Sequence, residues 1–202
     1  EESQTYAQKL YLPLFSYQKE QESEREEIFR LPLHVWMPLA GYLEDQTEKR
    51  GKEEPEEVLF EEVDLFGVAE DTVHLLSFNA ASAGITIQAI GNRQMVQGNR
   101  SMLEELVYNL CDNGIRYNCI GGSVTVKVFD LKNHPAIEVS DTGIGIPKEH
   151  LGRIFERFYR ADKSRSKATG GTGLGLAIVK HIAIRHFAEI KVESNVGIGT
   201  KI

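Results

Sequence analysis

Two alternating segments joined by a tight turn restrict the fold of this chain most strongly. Between residues 123 and 131, Val124, Val126 and Val128 alternate with polar residues, and a second strand pattern covers residues 136–140. Residues 132–135, which read Lys-Asn-His-Pro, have the composition of a turn. Because so short a connection joins antiparallel neighbours, the sequence predicts a β-hairpin here.

Helical and extended patterns alternate along the rest of residues 60–202. A capping box at Ser101 opens one of the helices. Apolar spacing predicts helices over residues 63–78, 101–117 and 174–185. Further strands are predicted over residues 85–90, 94–97 and 189–193. Three helices and several mostly hairpin-linked strands favour an α/β fold of the two-layer α/β sandwich type.

The 202-residue chain divides by charge near residue 60. Residues 1–62 carry 16 acidic and 7 basic side chains, whereas residues 63–202 carry 14 acidic and 16 basic ones. The acidic first third disfavours nucleic acid as a partner, since phosphate backbones attract basic surfaces. The sequence has no run of about 18 apolar residues, so we expect any membrane contact to come through segments outside it.

Residues 1–59 are predicted to be a mainly helical segment followed by a linker. Residues 18–30 are highly charged and lack glycine and proline, which suits a solvated helix or coiled-coil arm. Pro32 and Pro38 then interrupt an apolar stretch, where a straight helix would be costly. We therefore expect a first unit over residues 1–59 and a second domain over residues 60–202.

The helix predicted after Ser101 carries four polar residues close to one face. Glu105, Asn109 and Asn113 are spaced by four residues, and Arg116 falls near the same face. Amide oxygens are hard ligands that suit Mg²⁺, and Glu105 could polarise a nucleophile. A solvated polar face would produce the same pattern, so both interpretations stay open.

A glycine-containing loop follows the second strand of the hairpin. It reads Asp-Thr-Gly-Ile-Gly-Ile-Pro over residues 141–147, and its two glycines permit a close backbone approach. The carboxylate of Asp141 could accept a hydrogen bond from an exocyclic amine such as that of adenine. A plain turn is the alternative for this segment.

A second glycine cluster runs directly into the last predicted helix. Residues 170–176 read Gly-Gly-Thr-Gly-Leu-Gly-Leu, and the free N–H groups of a helix start can bind an anion. No Gly-Lys-Ser/Thr follows the glycines, which excludes a Walker A loop, and the spacing does not fit a Rossmann fingerprint. The basic residues 161–169 upstream suit a lid over phosphates.

In chain order, these motifs resemble the catalytic ATP-binding domain of sensor histidine kinases, within the family that also holds gyrase, Hsp90 and MutL ATPases. Residues 101–118 are similar to its N box, 141–147 to its G1 box, 155–160 to its F box, 170–176 to its G2 box and 197–200 to its last glycine motif. The resemblance covers about residues 60–202. It implies a Bergerat-type fold, in which helices cover a mixed sheet, and it implies ATP and Mg²⁺ as ligands.

The resemblance also implies a role for each matching residue. Asn109 would ligate Mg²⁺, and Asn113 would contact phosphate or metal. Asp141 would bind the adenine amino group with support from Thr200. The rest of the nucleotide pocket and phosphate loop would comprise Arg116, Tyr117, Gly143, Gly145, Ile146, Gly171, Thr172, Gly173, Leu174, Gly175 and Leu176.

Two of the implied roles concern catalysis itself. Glu105 matches the general base of the ATPase members, although in kinases it would instead orient the attacking imidazole. Arg116 and Arg160 would stabilise charge during phosphoryl transfer.

The phosphoacceptor is the least defined element of the resemblance. A kinase of this kind needs an acceptor histidine in a helical hairpin, within a His-Glu-x-x-Thr-Pro-like motif, and that motif is absent. His34 is the upstream candidate, although Val35 follows it and Pro38 comes four residues later. The alternative is that residues 20–50 are a truncated, rearranged or incompletely represented hairpin.

The sequence is therefore interpreted as the cytoplasmic portion of a membrane sensor kinase. Such a protein would form a homodimer through its N-terminal helical region and pass phosphate to the receiver domain of a response regulator. Two other functions stay open: an ATP-binding pseudokinase module without phosphotransfer, and a gyrase-like or Hsp90-like ATPase. The F box and the short lid argue against the ATPase.

Overall fold

A computed structural model describes residues 59–161 and 172–202 of the chain. The helical segment predicted for residues 1–59, His34 and Gly171 lie outside the described residues, apart from Leu59 at the segment's end. Within the described part, no helix is both long enough and apolar enough to cross a bilayer.

A five-stranded mixed sheet forms one layer of the fold. Its strands, in spatial order, are β2 (Thr86–Gly91), β4 (Ser123–Leu131), β5 (His134–Asp141), β7 (Gly199–Lys201) and β6 (Glu193–Asn195). The β2–β4 pair is parallel and the other pairs are antiparallel. The separate antiparallel pair β1 (Glu61–Asp64) and β3 (Met95–Gly98) forms a small second sheet.

Four helices accompany these strands in the described residues. They are α1 (Leu65–Ser82), α2 (Arg100–Arg116), the single turn α3 (Lys148–Leu151) and α4 (Gly175–Arg185). The long helices bury one apolar face each, and their buried side chains form one core cluster with the fully buried residues Val124, Val126 and Val128 of β4. The predicted α/β two-layer sandwich is thus confirmed.

The predicted hairpin is confirmed, with a tighter turn than the sequence suggested. Only Lys132 and Asn133 lie between the strands, with φ values of 54° and 66°. Turns with two left-handed central residues match the right-handed twist of a hairpin, which accounts for this shortening. His134 and Pro135, predicted to be in the turn, instead begin β5.

Several predicted element boundaries are wrong. The first helix begins at Leu65 rather than at residue 63, because Val63 and Asp64 belong to β1 and the Asp64 side chain accepts a hydrogen bond from the Phe66 N–H as the helix cap. The second helix is capped by Asn99 rather than Ser101: the Asn99 side chain accepts from the Met102 N–H at 3.0 Å. An asparagine at this position satisfies one of the helix's unpaired N–H groups.

The last predicted strand is displaced along the chain. The sequence predicts it over residues 189–193, whereas β6 covers Glu193–Asn195. Val192 is buried and Ile190 is half-buried, so the alternation identified which side chains face the core. Pairing with β7 nevertheless includes only the three residues of β6.

Candidate functional site

A cleft of about 510 Å³ lies between α2, the loop after β5, the segment ending at Ala161 and the start of α4. Most of the predicted site residues line this single cleft. They are Asn109, Asn113, Arg116, Tyr117, Asp141, Gly145, Ile146, Arg160, Thr172, Gly173, Gly175, Leu176 and Thr200. Segments up to 93 residues apart in sequence, from Asn109 to Ile202, therefore meet at one site.

Three described candidates do not line the cleft wall. Glu105 lies one turn before Asn109 with an exposed side chain, and Leu174 caps the N-terminus of α4. Gly143 supports the wall from behind, because its N–H donates to the Asp141 Oδ1 at 2.8 Å. The other two also contact the wall: the Glu105 carbonyl accepts from the Asn109 Nδ2 at 2.7 Å, and the Leu174 N–H donates to the Thr172 Oγ1 at 3.4 Å.

The side-chain amide of Asn109 is held in one orientation. Its Nδ2 donates to the backbone carbonyl of Glu105 at 2.7 Å, so Oδ1 is directed away from that carbonyl. Gly175, the first residue of α4, packs against this oxygen: a Cβ at position 175 would lie 2.9 Å from the Asn109 Oδ1. The helix start and the amide oxygen are thus in direct contact only because residue 175 lacks a side chain.

Asp141 is fixed by backbone donors from two sides. Its Oδ1 accepts from the N–H of Gly143 at 2.8 Å and from the N–H of Thr200 at 3.3 Å. Both of these bonds use the same oxygen, so Oδ2 retains lone pairs for a ligand. Burial raises the pKa of the Asp141 carboxyl above its ordinary value, and the two backbone hydrogen bonds oppose that shift.

Glycines allow backbone segments to touch on this side of the cleft. Gly145 has a φ of 67°, and a side chain there would collide with the Asn195 carbonyl. Gly199 has a φ of 137°, and a side chain there would collide with the Asp141 carbonyl. Both positions thus need glycine for its left-handed backbone and for the close approach.

Two arginines, Arg116 and Arg160, line the cleft. Arg160 has two buried nitrogens, Nε and Nη2, with no hydrogen-bond partner among the described residues. Arg116 is held by Asp112 on the same helix, with 2.8 Å between Nη2 and Oδ2. A buried guanidinium without an acceptor is costly, so the Arg160 side chain has the chemistry of an anion-binding group.

A cluster that sequence reasoning did not identify lies beside Arg160. The His150 Nδ1 and the Tyr159 hydroxyl are 2.6 Å apart, and both residues line the cleft. The Arg153 guanidinium lies over the Tyr159 ring at 4.3 Å and pairs with Glu156 at 3.0 Å. The His-x8-Tyr spacing alone carried no signal for this contact, because a turn brings the two side chains together.

Sequence reasoning also missed Ser194. Its hydroxyl oxygen accepts from the Ile146 N–H at 2.7 Å and lies 2.8 Å from the Thr200 hydroxyl. This serine therefore joins the loop after β5 to strand β7. A serine facing the core from the strand before the last glycine motif was the available signal.

The residues present fit a magnesium–nucleotide complex. The buried Nε and Nη2 of Arg160 have no acceptor among residues 59–161 and 172–202, and phosphate oxygens would supply one. The first N–H groups of α4 lie at Gly175 and Leu176, both of which line the cleft, and helix starts favour anions. The Asn109 amide oxygen is a hard donor suited to Mg²⁺.

Comparison with known protein families identifies the same region. Residues 98–202 match the family described as histidine kinase-, DNA gyrase B-, and HSP90-like ATPase. The match begins just before α2 and includes every residue that lines the cleft.

Individual relatives extend the similarity beyond that region. The sensor-like histidine kinase SenX3 of Mycolicibacterium smegmatis is 40% identical over 141 residues, which are 68% of this chain and 36% of SenX3. The sensor histidine kinase YkoH of Bacillus subtilis is 36% identical over 72% of this chain and 32% of its own length. The chain thus spans about a third of each relative.

Among solved structures, the mycobacterial sensor histidine kinase MprB superimposes with a TM-score of 0.62 at 28% identity. The superposition covers 71% of this chain and 93% of that structure. The family match covers just over half of the chain and coincides with the cleft. This chain belongs to the family of histidine kinase-, DNA gyrase B- and HSP90-like ATPases.

Proposed function

We propose that this chain is the catalytic portion of a sensor histidine kinase, which binds Mg-ATP and transfers the γ-phosphoryl group to a histidine. The observation that carries the proposal is a pair of buried Arg160 nitrogens, Nε and Nη2, which have no hydrogen-bond partner within the described part of the chain and lie in a cleft that also contains Asp141. The cleft combines an acceptor for a base amine with donors for phosphate. That combination suits a purine nucleoside phosphate.

The Asp141 side of the cleft would hold the base. The Asp141 Oδ2 accepts a hydrogen bond from the adenine amino group, while Oδ1 stays bonded to the backbone of Gly143 and Thr200. Ile144, Ile146 and Val139 provide apolar wall around it. The carboxylate thus orients the base without needing to move.

The phosphates would lie against the start of α4. Arg160 and Arg116 face the cleft with positive charge, and the free N–H groups of α4 add donors. Bound Mg²⁺ would neutralise charge on the phosphate oxygens, with Asn109 as its protein ligand. These groups position the triphosphate and stabilise the charge that develops during transfer.

Glu105 would have a different role in the kinase and in the alternative ATPase. Its side chain is exposed and does not line the cleft. Activation of water would need a carboxylate within reach of the reacting phosphate. The position of Glu105 therefore gives no support to activation of water, and in the kinase Glu105 would orient the incoming imidazole, as the family resemblance implies.

The wider assignments are part of the same proposal. Residues 60–202 form the ATP-binding domain, and residues 1–59 contribute to a homodimer and to the acceptor region, with His34 as the candidate acceptor. The phosphate then passes to an aspartate of a response-regulator receiver domain. The full-length protein is a membrane-associated sensor whose catalytic portion is cytoplasmic.

Calorimetry with Mg-ATP tests the site. Arg160→Gln should weaken binding by about tenfold or more, because a charge-assisted hydrogen bond contributes about 1.5–3 kcal/mol. Arg93→Gln is the matched control, since the Arg93 side chain is 73% exposed and pairs with Asp64 instead. Equal affinity in wild type and Arg160→Gln would contradict the site assignment.

Incubation with γ-labelled ATP tests the reaction. Acid-labile, base-stable label on a mapped histidine would support the kinase, and label on His34 would identify the acceptor. Retained binding without label would support a nucleotide-binding module. Released phosphate without protein label would support an ATPase.

A further inference from the structure

We propose that His186 is a positioning residue for the nucleotide cleft: its imidazole joins the start of α2 to the end of α4 and so fixes where Asn109 lies against Gly175. The inference rests on the proposed nucleotide site. His186 does not line the cleft itself, so it would act on a ligand only through the two helices that it joins.

Hydrogen bonds at both ring nitrogens hold the His186 side chain in one form. Its Nε2 accepts from the backbone N–H of Asn99 at 3.0 Å, and its Nδ1 lies 2.8 Å from the carbonyl oxygen of Ile182. An N–H can only donate and a carbonyl can only accept, so the ring carries its proton on Nδ1 and has none on Nε2. His186 is therefore the neutral Nδ1–H tautomer.

The imidazole and its partner on α2 are both confined by their neighbours. A Cβ at Gly98 would lie 2.9 Å from the His186 Cδ2, so the ring packs closely against this glycine. The Phe60 ring lies 5.0 Å away from the imidazole, tilted by 39°. Asn99 is held because its side chain caps α2 through the Met102 N–H. The bond between Asn99 and His186 thus links two helix ends whose local geometry is already fixed.

A second contact joins the same two helices at the other end of α4. There Gly175 packs against the Asn109 Oδ1, at a distance that leaves no room for a Cβ. The step from Asn99 to Asn109 is ten residues and the step from Gly175 to His186 is eleven, which at 1.5 Å per residue is about 15 Å and about 16 Å. The helices therefore run antiparallel between two contacts of nearly equal spacing, and a slide of one helix along the other would disturb both contacts.

Such a slide would move the candidate metal ligand. The Asn109 Nδ2 donates to the Glu105 carbonyl at 2.7 Å, so the amide moves with α2, whereas Gly175 moves with α4. Loss of the Asn99 bond would give the helix pair more than one arrangement. A nucleotide that fits one arrangement then binds with an affinity reduced by the fraction of molecules that adopt it.

Two substitutions separate the roles of the two ring nitrogens. His186→Gln can place an amide oxygen near the position of Nε2 and keep the bond from Asn99, whereas His186→Asn reaches only the position of Nδ1 and loses that bond. Calorimetry with Mg-ATP on the 202-residue chain should show an affinity within about twofold of wild type for His186→Gln and about three- to tenfold weaker for His186→Asn, the value of one neutral hydrogen bond. His74→Asn is the matched control, because His74 is exposed on α1, and it should bind as wild type does.

The tautomer provides a readout that does not depend on binding. The chain has six histidines, and the signal of His186 in a long-range ¹H–¹⁵N correlation spectrum is identified by its loss in His186→Gln. At neutral pH this signal should show a protonated Nδ1 and an unprotonated Nε2. Thermal melting verifies that each variant is folded.

The outcomes distinguish this inference from the function on which it rests. Weaker binding in His186→Asn, with His186→Gln close to wild type, supports the positioning role. If His186→Asn melts earlier but binds Mg-ATP as wild type does, His186 only stabilises the fold and the inference is overturned. Equal losses of affinity in both variants, or a proton on Nε2, would overturn it as well. If wild type binds no Mg-ATP, the proposed function itself fails and the inference fails with it.

Discussion

Asp141 combines a cost to folding with a role in binding. Burial raises its pKa, so the folded protein holds the carboxyl proton more tightly than the unfolded chain does. The stability contributed by this group is therefore fully present below its ordinary pKa of 3.8 and is lost as the pH rises through the higher folded value. At neutral pH the charged carboxylate opposes folding.

Asp141→Asn should consequently stabilise the fold while it weakens binding. The amide oxygen can still accept from Gly143 and Thr200, but the buried charge is gone. Chemical denaturation should show a larger unfolding free energy than wild type at pH 7, with the difference shrinking toward pH 4. Mg-ATP affinity should fall about tenfold or more, since a charged acceptor is lost. An unchanged pH profile would contradict the burial argument.

The two cysteines should react very differently with thiol reagents. Burial, reinforced by the charge of Asp112, raises the pKa of Cys111 to about 12, whereas Cys119 is exposed. Because the thiolate is the reactive form, one thiol per native chain should be modified rapidly at pH 8 and two after denaturation. Cys119→Ala should remove the rapid phase, and rapid native labelling of both cysteines would contradict the placement of Cys111 in the core.

At the level of single residues, most of the residues that line the cleft with predicted roles could be picked out from the sequence, but their supporting contacts could not. Asn109 and Asp141 stand out by type and spacing. Ser194 and His150 do not, because their importance arises from a bond to a residue that is distant in sequence or turned by a local bend. A hydroxyl or imidazole acquires such a role only when the fold selects its partner.

At the level of elements, α4 and α2 pack so closely at Gly175 that a larger residue would not fit there. A Cβ at Gly175 would lie 2.9 Å from the Asn109 Oδ1 and 3.7 Å from the Asn113 Nδ2. The start of α4, which would bind phosphate, and the Asn109 amide, which would bind metal, are therefore in direct contact.

Gly175→Ala should displace the Asn109 amide and weaken Mg-ATP binding about tenfold, with little loss of stability. Gly67→Ala on α1 is the matched control, because a Cβ there meets the Asp64 side chain at an ordinary 3.8 Å. That change should leave binding intact and stabilise the fold by about 0.5–1 kcal/mol, since alanine is the better helix former. Equal binding in both variants would show that the contact tolerates a methyl group.

Periodicity predicted the elements better than their ends. It located α2, α4 and the β4–β5 hairpin within a few residues, because apolar spacing reflects which side faces the core. It misplaced β6, since the buried Val192 precedes the hydrogen-bonded pairing and does not take part in it. Alternation reports burial, whereas strand limits depend on a partner elsewhere in the chain.

At the level of the whole molecule, the strand order assembles the site. Strand β7 lies between β5 and β6, which places Thr200 next to Asp141 although 59 residues separate them. No local pattern in the sequence reveals that β7 pairs between β5 and β6. The resemblance to a known family implied only that Thr200 would support the adenine contact of Asp141, because it carries the order of motifs together with a fold.

Nucleotide binding should stabilise the whole fold measurably. A ligand that binds only the folded state at 100 times its Kd adds about 2.7 kcal/mol, which is a rise in Tm of about 5–10 °C for a chain of this size. Differential scanning calorimetry with Mg-ATP should show this rise in wild type and a smaller one in Arg160→Gln. No rise in wild type at saturating nucleotide would contradict the proposed site.

The glycine contacts of the cleft have a consequence for how this site can vary by mutation. Side chains at Gly145 and Gly199 would meet carbonyl groups of the main chain, which no substitution elsewhere can remove. A second mutation should therefore not restore nucleotide binding after either glycine is substituted. At Gly175 the obstacle is the Asn109 side chain, so a compensating change exists, but it removes the candidate metal ligand. Compensating mutations are thus not expected for substitutions at Gly145 or Gly199, and the one that would accommodate a side chain at Gly175 removes Asn109.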